Sequence, residues 1–243
     1  MGIYLNPGNE EFYRAVNSQI YVDKTELIRY INQYINTEHR NICVSRPRRF
    51  GKSMAANMLT AYYSSGCDSK DIFKEYKIAE CDNFEKHLNK YNVIHLNIQQ
   101  FMGRTSCIYD MIELLSVKVT RELKREFSDV TYYEQDIVSV LEEIYSQTGN
   151  SFVFIIDEWD CVFRDDKLNG EGQREYLNLL RDMLKNQPYN ALAYMTGILP
   201  VKKYGEHSAL NMFDEYSITN QEVQKEFISM CYSNSLLFSK ERL

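Results

Sequence analysis

Short apolar runs alternate along this chain with stretches in which apolar positions recur every three or four residues. The runs at 41–45 (N-I-C-V-S), 93–99 (V-I-H-L-N-I-Q), 152–156 (F-V-F-I-I) and 191–196 (A-L-A-Y-M-T) have the length and side-chain content of strands, and a weaker fifth covers 213–218. Between them, Ile108, Met111, Ile112, Leu115 and Val119 mark one helix face; Ile137, Val140, Leu141 and Ile144 mark a second, and Leu177, Leu180 and Leu184 a third. The run at 152–156 is apolar at every position, as in a parallel strand covered on both faces. Strands alternating with helices predict a parallel sheet with right-handed crossovers, in one α/β domain without repeats or low-complexity linkers.

Composition narrows the class. With 243 residues, 44% hydrophobic and 26% charged, the chain can build its own core, and its 19 tyrosines read as core and interface material. A net charge of −6 speaks against a general nucleic-acid binder, which needs a basic face. Six dispersed cysteines (Cys43, Cys67, Cys81, Cys107, Cys161, Cys231) form no C-x-x-C pair and have no histidine at ligand spacing, which excludes a zinc site and fits a reducing compartment. No secretory pattern opens the chain, Asn6 breaks the myristoylation pattern, and no run approaches the roughly 20 apolar residues of a membrane span. The expectation is a cytoplasmic protein with no membrane contact.

Candidate chemistry begins where the first strand ends. The loop Ser45-Arg46-Pro47-Arg48-Arg49-Phe50-Gly51-Lys52-Ser53 runs into a helical stretch through Met54, Met58, Leu59 and Tyr62, the strand–loop–helix setting of a phosphate-binding loop. Unsatisfied N–H groups at a helix start favour an anion. In that setting Gly51 admits phosphate close to the backbone, Lys52 reaches the β- and γ-phosphates, and the Ser53 hydroxyl ligates Mg²⁺. Arg46 stands where the G-x-x-x-x-G-K-[ST] pattern has its first glycine, and Pro47 removes one N–H donor. Charge from Arg48 and Arg49 is expected to compensate, one facing phosphate or a neighbouring subunit and the other paired with a surface carboxylate.

A second element supports the first. The apolar run 152–156 leads into Asp157-Glu158, so Asp157 is expected to hold the Mg²⁺ shell and Glu158 to orient or deprotonate an attacking water. Both elements fall at carboxyl ends of strands, where open α/β sheets bind ligands. Thr196 ends the fourth strand and offers a hydroxyl near the γ-phosphate or that water. Asp160, Asp165 and Asp166 read as solvated loop, and Arg164, Lys202 and Lys203 as solvated surface before phosphate sensors. The four histidines, His39, His87, His95 and His207, are isolated and receive no role.

The segments 21–28 (Y-V-D-K-T-E-L-I), 46–53 (R-P-R-R-F-G-K-S) and 196–205 (T-G-I-L-P-V-K-K-Y-G) resemble the AAA-ATPase-like family, and the resemblance runs from about residue 6 to 227. It implies a three-layer P-loop NTPase fold with a mainly parallel five-stranded sheet of order 5-1-4-3-2, ATP and Mg²⁺ as cofactors, and Arg48, Arg49, Phe50, Gly51, Lys52, Ser53 and Met54 around the nucleotide. It places Tyr21 and Val22 against the adenine. Relatives often carry a C-terminal PD-(D/E)XK nuclease-like domain, so a nucleic-acid connection enters by family analogy alone. Residues 1–220 are expected to form the ATPase domain and 221–243 to begin a truncated helical region, with a helix over 221–233. The implied function is Mg²⁺-dependent ATP hydrolysis that drives or gates a protein partner or fused effector, with homo-oligomerisation an option. The alternative is a nucleotide-gated interaction module with little or no turnover.

Overall fold

In a computed structural model, residues 2–164, 170–201 and 209–217 are described. The elements in chain order are α1 (Glu10–Val16), α2 (Glu26–Ile31), β1 (Asn41–Ser45), α3 (Lys52–Tyr63), α4 (Lys70–Phe73), α5 (Phe84–His87), β2 (Asn92–Asn97), α6 (Ile98–Met102), α7 (Ile108–Glu126), α8 (Ile137–Thr148), β3 (Phe152–Asp157), α9 (Gly170–Leu184), β4 (Asn190–Gly197) and β5 (Asp214–Ser217). A 3-10 helix, Trp159–Phe163, follows β3 directly. Lys202, Lys203, His207, Asp165, Asp166 and the helix expected over 221–233 lie outside the described residues.

All four strand pairings are parallel, and the sheet order β2-β3-β4-β1-β5 is 5-1-4-3-2 read from the other edge. Side chains alternate across the sheet. Ile42, Val44, Val153, Ile155, Leu192 and Tyr194 point to one side, where α3 and the short helices α1, α2, α4 and α5 cover them. Cys43, Ile94, Leu96, Phe154, Ile156 and Met195 point to the other, under α6, α7, α8 and α9. Every residue of β3 and β4 is buried, and the three expected helix faces are the core-facing sides of α7, α8 and α9. The architecture is a three-layer α/β/α sandwich.

The second strand is shorter than its apolar run suggests. β2 ends at Asn97, whose side chain accepts a hydrogen bond from Gln100 N and starts α6 at Ile98. Beyond the β2 edge, the N-terminal segment adds a short antiparallel bridge at Leu5–Ile94, reinforced by Asn6 N to Val93 O at 2.7 Å and His95 N to Tyr4 O at 2.8 Å. Glu122 of α7 holds this segment by accepting from the N–H groups of Ile3, Tyr4 and Leu5.

Candidate functional site: a phosphate loop facing an acidic turn

β1 is buried along its length and delivers the chain to the carboxyl edge of the sheet, where residues 47–50 become exposed. Two residues of the loop take left-handed backbone angles, Arg49 (φ 69°) and Gly51 (φ 74°). Glycine adopts this region freely; an arginine there is strained. Gly51 is the residue before α3, and a side chain on it would also approach Lys24 Nζ at 3.2 Å. The N-terminal N–H groups of α3 thus open onto the loop.

Lys52 is buried at the first position of α3, and its Nζ donates to Pro47 O at 3.0 Å, closing the loop on itself. Burial lowers its pKa from the ordinary lysine value, against the pull of Glu158, Asp157 and Asp160. Ser53 and Asp157 line a common cavity, which brings the loop to the end of β3, and one Asp157 oxygen, Oδ1, accepts from the Glu158 N–H at 3.0 Å. Asp157 is 1% exposed, and burial pushes its pKa up, offset in part by Ser53, the Glu158 N–H and Lys52. Asn97 Nδ2 donates to its other oxygen at 3.3 Å.

After Asp157 the chain turns sharply. Glu158 has φ 56°, the left-handed region again on a residue with a side chain, and such strain gathers at functional sites. Its carboxylate forms an ion pair with Arg164. The same Arg164 nitrogen lies 3.4 Å from Asp160 Oδ1. Asp160 is fully buried, and its Oδ2 accepts from the N–H groups of Ile198 and Leu199 at 3.1 and 2.9 Å. The reading of Asp160 as solvated loop and Arg164 as solvated surface is therefore corrected: both are built into the turn, because the segment after β4 brings backbone donors that need a buried acceptor. Gly197 makes that approach possible, since a Cβ there would sit 2.6 Å from both Asp160 Oδ1 and Trp159 Nε1.

The loop and part of the turn face a cavity of about 570 Å³, in which Arg48, Arg49, Gly51, Lys52, Ser53 and Met54 meet Asn97, Glu158 and Arg164. Arg48 and Arg49 are exposed there, and neither makes an ion pair among the described residues, so the expected pairing of one with a surface carboxylate is not found. A second cavity of about 370 Å³ continues past Ser53 and Asp157 toward Asn57, Thr60 and His95. Thr196 lies in register with Asp157 on β3 and Val44 on β1; it is fully buried, and its hydroxyl meets no hydrogen-bond partner among the described residues. Arg46 is buried, with its N–H on Gly197 O, so at the position of the missing glycine the chain is tied to the end of β4.

Phe50 is partly exposed and, with Lys24, Leu27, Arg46 and Tyr194, lines a small cleft beside Gly51. Tyr21 packs edge-on against Phe12 and Tyr76, and burial raises its pKa. Lys24 and Leu27, not Tyr21 or Val22, are the residues of 21–28 that reach this cleft. Sequence reasoning also passed over Asn97, though a polar residue closing an apolar strand at the carboxyl edge was a usable signal.

Among the described residues no three His, Cys, Asp or Glu side chains converge as metal ligands. One hydroxyl (Ser53) and one buried carboxylate (Asp157) suit Mg²⁺, which protein sites hold by one or two carboxylates and complete with phosphate oxygens and water. No helix among the described residues is long and apolar enough to cross a membrane.

The arrangement defines a P-loop nucleotide-binding ATPase class. A family model described as "Predicted AAA-ATPase" matches residues 8–205, and the chain belongs to this AAA-ATPase-like family. No curated protein matches the chain. Among solved structures the chain is similar to the ORC2 protein of Aeropyrum pernix in its ADPNP–ADP complexes, at 10% identity and a TM-score of 0.41, covering 90% of this chain and 55% of that one.

Proposed function

We propose that this chain binds Mg²⁺–ATP in the larger cavity and hydrolyses it, using the cycle to drive or gate a protein partner or a fused effector. The observation that carries this is that Lys52 and Ser53 face Glu158 across the larger cavity, while Ser53 also borders the adjoining cavity with Asp157. The α3 N–H groups and Lys52 hold the β- and γ-phosphates, the loop arginines add charge, and Ser53 with Asp157 would hold Mg²⁺, which screens phosphate charge when bound. Thr196, buried at the end of β4 with a hydroxyl that meets no partner among the described residues, would bond the γ-phosphate or the water. The water oxygen bonds to the terminal phosphorus and its proton passes to Glu158. The bond to the bridging oxygen breaks, and ADP leaves with that electron pair. Tyr21 and Val22 remain proposals for the base only if 21–28 rearranges around it. Residues 1–220 serve as the ATPase unit, with 221–243 opening a further helical region, in a cytoplasmic protein free to self-associate.

A specific observation favours the alternative of a nucleotide-gated module with slow turnover: Glu158 is held by Arg164. Thermal unfolding tests the common part of both readings. Mg²⁺–ATP at about 100 times its Kd should stabilise the protein by roughly 2.7 kcal/mol, and Lys52→Ala should lose most of that gain. No shift in a folded sample at millimolar nucleotide would sink the assignment. Phosphate release, measured with rising protein concentration, separates turnover from binding alone.

A further inference from the structure

Arg164 lies six residues beyond Glu158, at the end of the 3-10 helix, and opens onto the same cavity as Lys52, Arg48 and Arg49. Its guanidinium is 19% exposed and joins two carboxylates of different freedom. Asp160 is fixed, with one oxygen on the N–H groups of Ile198 and Leu199. Glu158 has no such anchor; Arg164 is its one side-chain partner among the described residues. Arg164 Nε is buried and meets no acceptor among those residues, so the fork has donor capacity to spare.

We infer that Arg164 is the positioning residue that reads the terminal phosphate, and that its ion pair with Glu158 is the closed state which a nucleoside triphosphate opens. The inference rests on the larger cavity being the nucleotide site. A guanidinium matches phosphate oxygens as well as it matches a carboxylate, so a γ-phosphate in the cavity competes directly with Glu158 for the fork. Asp160 remains beside the guanidinium, 3.4 Å from the nitrogen that leaves Glu158, during the exchange. Once released, the Glu158 carboxylate has its lone pairs free for a water. A diphosphate presents no group at that distance and leaves the pair closed. The cation thus comes from the turn after the acidic strand, in the same chain. Through Asp160 its movement is felt at the backbone of Ile198 and Leu199, two and three residues after Thr196.

Trp159, the single tryptophan of the chain, is buried between Glu158 and Asp160 and reports on this turn. The test is titration of the whole chain with a non-hydrolysable ATP analogue and with ADP, each with Mg²⁺, following Trp159 fluorescence and calorimetric affinity. In the unaltered chain the analogue should change the fluorescence and ADP should not. Glu158→Gln keeps the shape and weakens the closing pair, so affinity for the analogue should rise several-fold while that for ADP stays constant. Arg164→Ala should lower affinity for the analogue about tenfold or more, leave ADP unchanged and abolish the fluorescence change. Arg164→Lys, which retains a charge beside Asp160 but no fork, should fall between and guards against a misfolded alanine variant. Equal effects on both nucleotides, or an unchanged analogue-to-ADP ratio in Glu158→Gln, would overturn the role of Arg164 while leaving the nucleotide site standing. Failure of the unaltered chain to bind either nucleotide would remove the site and this role together.

Discussion

Two segments bound the larger cavity, and they are built on opposite principles. The loop at 45–53 is exposed over four consecutive residues, and its Arg48 and Arg49 line the cavity without an ion pair among the described residues. The turn at 157–164 is largely buried and spends its carboxylates internally: Asp157 on Asn97 and the Glu158 N–H, Asp160 on two backbone N–H groups, Glu158 on Arg164. Both carry one strained non-glycine residue, Arg49 and Glu158. The loop turns Arg48 and Arg49 toward the cavity, whereas the Glu158 carboxylate of the turn already has a partner in Arg164 and must give up that contact to act. Binding is thus expected to be governed by the loop, and turnover by what releases the turn.

The largest effect expected from breaking this contrast is on rate. Glu158→Gln keeps the shape of the turn but removes the proton acceptor, so phosphate release should fall about 10²–10⁴-fold while nucleotide still binds. A wild-type rate in this variant would show that Glu158 is not the base. Next is Asp160→Ala, which strands two backbone donors in the interior and removes one of the two carboxylates beside Arg164. It should cost roughly 3–5 kcal/mol in denaturant unfolding, a penalty with no counterpart anywhere on the exposed loop. A loss below about 1 kcal/mol would mean that the turn is not held as described.

A pH series extends the contrast to the smaller cavity. His95 accepts or donates at Thr60 Oγ1 (3.0 Å), and burial lowers its pKa from 6.5 to about 4. Between those values the unfolded chain binds a proton that the folded chain does not. The contribution is therefore complete above pH 6.5 and shrinks as pH falls toward 4, by up to about 3 kcal/mol in total. His95→Gln should flatten that part of the stability profile; an unchanged slope would reject it. The smallest effects belong to the loop. Arg49→Gly relieves a left-handed residue and should raise stability by about 1 kcal/mol while weakening ATP binding. Arg48→Ala should leave stability within about 0.5 kcal/mol. Destabilisation by Arg49→Gly would contradict the strain assigned to that position.

Much of this was legible beforehand. The alternation of buried runs and helix faces announced a parallel α/β sheet, and Gly51-Lys52-Ser53 and Asp157-Glu158 follow two of its strands at the same carboxyl edge, as their spacing implied. These signals are local: a helix start, a left-handed glycine and a strand end are each specified by a few neighbouring residues. The sheet order came through the family resemblance and not from spacing.

What the residues by themselves determined, then, was the kind of element at each place and the edge of the sheet at which the loop and the acidic pair stand. Only the tertiary structure decided the roles of Arg164, Asp160 and Asn97. Asp160 is buried because Ile198 and Leu199 arrive 38 and 39 positions later with N–H groups to satisfy, and Asn97 meets Asp157 across 60 positions. A charged side chain after a buried strand looks solvated in one dimension. Whether it is depends on which distant backbone needs an acceptor there, and that is settled when the crossovers bring β2, β3 and β4 side by side.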